Sequence, residues 1–145
     1  MLLYQEYQEE PKVTHIVLTD VTEEVLSVTE AKSFMAIDFP DFDETLAGIF
    51  IPAIREAAER YTGLSIGTRE IQLSGDFTDP EVYMPYAPVI SIDDDGKQVV
   101  GYTADTVPAG LKLAMLTILH DSFENRVGHN FNLKPLDLYR RRVGI

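Results

Sequence analysis

The longest amphipathic pattern in the chain is ETLAGIFIPAIREAAERYTG, residues 44–63. Leu46, Ile49, Phe50, Ala53, Ile54, Ala57 and Tyr61 recur at i, i+3, i+4 spacing, which predicts a helix over about 44–62 with one apolar stripe. Asp43 stands at the N-cap position, and Gly63 suits a left-handed C-cap. Arg55–Glu59 and Glu56–Arg60 are i, i+4 pairs expected on the opposite, solvent side. Pro52 removes one hydrogen bond and crowds the carbonyl of Gly48, so a kink is expected there. Ile51 lies off the stripe, near Ala47 and Ala58. It is a candidate subunit contact, although a single stray isoleucine on a surface is commonplace.

Shorter patterns surround this helix. Residues 12–19, KVTHIVLT, alternate loosely and are rich in β-branched side chains, which predicts a strand. SVTEAKSFMAID opens a helix over about 29–37, capped by Ser27 or Thr29 and ended before Pro40. Residues 68–103 read as β: TREIQLS alternates, EVYM is short, and a hairpin follows. A further helix is predicted over about 109–126, with Pro108 at its start. Its front half, LKLAMLTIL, is apolar nearly all round, which implies burial on several sides, at the domain centre or against another subunit. A helical turn over about 135–141 precedes the end of the sequence. The polar segment 1–11 is expected to be mobile.

The hairpin carries the most pointed chemical question, because SIDDDGKQVV places Asp93, Asp94 and Asp95 before Gly96. If Gly96 is the sixth residue of a calcium loop, the loop begins at Ser91, and its twelfth residue is Tyr102 instead of the closing glutamate. The flanking residues favour strands and not helices. Asp95-Gly96 therefore reads as the centre of a type I′ turn, with the aspartates as charge on a hairpin tip.

The length of 145 residues suggests one domain with a real core. There is no cysteine, so neither a disulfide framework nor a thiolate metal site is available. No apolar run is long enough to span a membrane, and MLLYQEYQEE is unlike a signal peptide. The net charge of −12 disfavours sequence-reading DNA binding, yet suits a wall that DNA must slide past. His15, His120 and His129 match no metal spacing, and no nucleophile elbow or phosphate loop is present. No catalytic residue, metal or cofactor is expected. A small hydrolase using His120 and Asp121 is disfavoured. The one basic run, YRRRVGI, reads as a solvated tail or as a docking segment for an acidic partner, anchored by Tyr139.

The order of these parts resembles the phage head–tail connector family. The resemblance rests on LSVTEAKSFMAID with its acidic continuation, on AAERYTGLSI, on the VP before a long apolar helix, on FENR, and on LYRRRVGI. It covers the chain from about residue 26 onward, so residues 1–25 are read as an N-terminal extension and 26–145 as a connector domain. The resemblance implies a mainly α (α+β) fold, a small bundle of three to four helices with a β-hairpin insertion and an N-terminal strand. It implies a structural virion protein at the head–tail junction, made in the host cytoplasm and without enzymatic activity. Its partners would be the portal protein and further head-completion or tail proteins. A homo-oligomeric ring, twelve-fold to match the portal, would let DNA pass without specific binding. Tyr139, Arg140, Arg141 and Arg142 become the candidate portal-docking segment, and Asp93, Asp94 and Asp95 a channel or ring-edge loop. Removing residues 136–145 is then expected to abolish portal binding while leaving helical content nearly intact. The alternative from composition is an acidic regulatory protein or DNA mimic.

Overall fold

The computed structural model describes residues 13–75, 84–125 and 131–141. The expectations for residues 1–11, for most of EVYM, for His129 and for Arg142 lie outside the described residues.

Helix takes 43% of the described residues and strand 21%, an α+β mix that corrects the expectation of a mainly α fold. The strands are β1 (Val13–Thr19), β2 (Arg69–Gly75), β3 (Val89–Ile92) and β4 (Lys97–Val100). They form one antiparallel sheet in the order β1-β2-β4-β3. The predicted hairpin is thus no insertion into a bundle. β1 pairs along β2, from Val13 opposite Gly75 to Thr19 opposite Glu70, and so joins the N-terminal strand to the hairpin. The partners are 51 to 62 residues apart in the sequence, and no local pattern encodes that pairing.

The helices are α1 (Val28–Met35), α2 (Asp43–Thr45), α3 (Ile51–Thr62) and α4 (Ala109–Glu124), with a 3₁₀ turn at Lys134–Tyr139. Ser27 caps α1 in a full capping box, because its hydroxyl accepts from Glu30 N–H and its own N–H donates to the Glu30 carboxylate. Asp43 does not cap α2. The N-cap is Phe42, while Asp43 lies in the first turn and pairs with Lys32 at 2.8 Å.

Between α2 and α3 the backbone makes a π turn at Leu46–Phe50, in which Ile51 N–H reaches back to the Leu46 carbonyl. The defect expected at Pro52 is realised here. Pro52 has no N–H to donate and its ring crowds the preceding turn, so one extra residue is accommodated ahead of it. That residue rotates everything beyond it by about 100° around the axis. The predicted stripe is corrected accordingly. Ile49 is 64% exposed, whereas Ile51 is 2% exposed and packs in the core with Ile54 and Ala58. Ile51 therefore presents no surface to a neighbouring subunit. Arg55 also turns inward and is buried.

The main core joins α1, α3, α4 and Leu136 of the 3₁₀ turn, with Leu111, Met115, Ile118 and Leu119 of α4 at its centre. A second, smaller core of Ile71, Leu73 and Val100 lies under the sheet with Val13, Tyr86 and Val89. A charge network bridges the two. Glu59 receives Arg55 at 3.1 Å and both terminal nitrogens of Arg69, at 2.5 and 2.8 Å. Arg55 also grips Glu24, and Arg69 grips Asp20 and the Ser65 hydroxyl. Glu59, the dominant cause, pushes the Arg69 guanidinium still further above its ordinary value.

Candidate functional site

Three surfaces emerge from this arrangement. The first is the hairpin tip. Asp93 N–H bonds the Lys97 carbonyl, and Gly96 N–H bonds the Asp93 carbonyl. The Asp93 carboxylate accepts from Asp95 N–H at 3.0 Å and Lys97 N–H at 2.9 Å. Only Gly96 has positive φ, at 88°, so the expected type I′ turn is corrected to a turn closed by a single left-handed glycine. Asp93 is occupied as the internal brace of the tip. Asp94 and Asp95 project as exposed carboxylates that bond no described residue.

The second surface is the C-terminal arm, which is no free tail in its described part. Arg141 N–H bonds the Thr62 carbonyl at 2.7 Å, and its guanidinium reaches the carbonyls of Gly63 and Met84. It thereby satisfies carbonyls left open where α3 ends in Gly63, with φ of 77°. Arg140 stacks over the Tyr61 ring at 4.7 Å, and Tyr61 donates to Asp137, whose carboxylate holds the phenol above its ordinary pKa. The Tyr139 hydroxyl occupies the space beside Gly110 at the start of α4, and its ring packs on the main core. Of the four predicted docking residues, Tyr139 and Arg141 are thus tied to the chain's own body, and Arg140 is exposed but stacked on Tyr61. Leu136 is fully buried, so the segment expected to be dispensable begins inside the core. Sequence reasoning missed Leu138, which is 93% exposed between these anchored residues. Its signal was a leucine two residues after a core leucine, a spacing that places one inward and one outward on a tight turn.

The third surface is apolar and divided between a strand edge and a helical flank, while Phe39, Ile49, Met84 and Ile90 are exposed elsewhere. On β1, which pairs only with β2 among the described residues, Ile16, Val17 and Leu18 are all exposed. On the α1/α4 flank, Phe34 and Leu113 are exposed beside partly covered Leu116. Phe34 meets the His120 ring edge-on at 5.9 Å. His120 also lies 3.4 Å from Glu124, while Asp121 accepts from Asn125, so the two residues of the disfavoured hydrolase reading engage different partners. Among the described residues, no group of three metal-ligating side chains comes together.

No family model, curated protein or solved structure matches the chain.

Proposed function

We propose that the protein is a structural adaptor of the head–tail connector kind, a subunit of a ring that docks on a portal and extends a DNA channel. The observation that carries this reading is the division of exposed apolar side chains between the β1 edge and the α1/α4 flank. Large side chains left in water on two unlike elements suit contact between one face of a copy and a different face of the next. Contacts of that kind close into rings under rotation. The exposed Leu138 supports a second docking surface on the arm, for the portal. The net charge of −12 is compatible with a channel that repels phosphate.

Electron microscopy of the purified chain, alone and mixed with portal, tests the proposal. Rings on portal are expected, and L138D is expected to abolish docking while the far-ultraviolet circular dichroism spectrum stays unchanged. No bound density at the portal would overturn the reading. Salt-sensitive capture of a nucleic-acid-binding protein in its place would favour the DNA-mimic alternative.

A further inference from the structure

Among the described residues, positive charge gathers at the C-terminal end of α3. Arg60 is exposed there and borders two clefts. One, of about 470 Å³, is lined by Gly63, Leu64, Pro85 and Tyr86; the other, of about 420 Å³, by Tyr61, Phe131 and Leu133. Arg140 is propped over the ring of Tyr61, the next residue along, and Arg141 lies against Gly63. A helix C-terminus accounts for one cation, and Arg141 fills that role on the open carbonyls. Arg60 and Arg140 are in excess of it. Arg60 makes no ion pair with the predicted Glu56 or with any other described residue. The acidic groups nearby do not cancel the patch. Glu59 is neutralised by Arg55 and Arg69, whereas Asp137, still charged while it accepts from Tyr61, and exposed Glu56 on the cleft rim offset only part of the charge of Arg60, Arg140 and Arg141.

The same chain carries a matching feature. The hairpin tip is narrow, braced by Asp93 and the backbone, and presents two uncommitted carboxylates on Asp94 and Asp95. An acidic tip and an arginine-bordered cleft are complementary in charge. Carboxylates pair with guanidinium groups by charge-assisted hydrogen bonds. We infer that the tip of one copy, through Asp94 and Asp95, docks on the Arg60–Arg140 patch of the next. This rests on the ring reading above and names the polar contact that sets its register. Each copy offers one tip and one patch, so the contact is head-to-tail.

Sedimentation velocity of the full chain over a concentration series, at roughly 20 mM and roughly 0.5 M salt, tests the contact. Three samples are compared: wild type, D94K/D95K, and R60E/R140E, with thermal melts to establish that each is folded. Wild type is expected to associate, less at high salt. Each variant alone should associate about tenfold more weakly or worse, because it presents like charges to itself. An equimolar mixture of the two should recover, since each reversed tip then meets a reversed patch. Where wild type assembles only on portal, the same comparison is made there. Variants that assemble as well as wild type, or a mixture that does not recover, overturn the tip-to-patch contact and leave the adaptor reading standing. A wild-type chain that forms no higher species, with or without portal, overturns both.

Discussion

Glu30 shows how one side chain can serve two levels of the structure. One carboxylate oxygen accepts from Ser27 N–H at 3.0 Å and closes the cap of α1, while the other takes Lys112 of α4 at 2.7 Å. The Lys112 hydrogen bond, foremost, and the Ser27 N–H hold its pKa below the ordinary glutamate value of 4.5. A lowered folded-state pKa contributes stability in full above the unfolded value and loses it as pH falls through the folded one. E30Q is therefore expected to be about 1 kcal/mol less stable than wild type at pH 7, a figure typical of a cap and a partly exposed pair. The difference should shrink towards zero as pH drops below that of a free glutamate. Urea melts at several pH values measure it, and a gap that stays constant with pH would assign the loss to shape and not to charge. The cap was legible in advance only as Ser27 or Thr29, and the reciprocal bond with Glu30 places it at Ser27. Lys112 was not legible, because its approach depends on how α1 and α4 pack.

At the scale of an element, the π turn before Pro52 is the feature with most consequence. Every side chain on α3 faces where it does because one residue was added at Leu46–Phe50. Replacing Ile51 by Ala is expected to cost about 2–4 kcal/mol, as for a buried aliphatic side chain. Ile49→Lys, at a position the uniform stripe would bury, is expected to change stability by less than about 0.5 kcal/mol. Chemical denaturation of the two variants decides between the shifted and the unshifted helix. The helix itself, its end at Gly63 and the fault at Pro52 were all readable from residue types. The direction in which the fault would be resolved was not. A kink and a π turn satisfy the same missing donor, and the choice depends on which leaves Ile51 and Arg55 better packed.

For the whole molecule, the network through Glu59 ties the helical core to the sheet. Glu59 and Arg69 side chains are each about nine-tenths buried. Arg69→Ala leaves the Glu59 carboxylate short of its main partner and is expected to cost about 3 kcal/mol or more. The double replacement E59M/R69M should cost less than the single one, since no uncompensated charge remains. Thermal melts of both variants test this, and a double variant worse than the single would mean that the pair contributes net stability beyond satisfying itself. The same network explains why Arg55–Glu59, read from its spacing as a surface pair, became an interior one. The spacing is right and the distance is 3.1 Å, but the side of the helix was set by the π turn and by Arg69 arriving from β2.

Local chemistry was enough to place the end of α3 at Gly63, the start of α4 after Pro108, the hairpin and its glycine, and the apolar character of α4. Each of these depends on residues within one or two turns of one another. The joining of β1 to β2, the inward rotation of Ile51 and Arg55, and the folding of Arg141 onto Thr62 all required the assembled chain. Their partners are distant in sequence or are selected by a phase shift, and burial energy is assigned only when surfaces meet. The gathering of Arg60 with Arg140 belongs to that second group, because arginines eighty residues apart become a patch only where the arm returns to the end of α3.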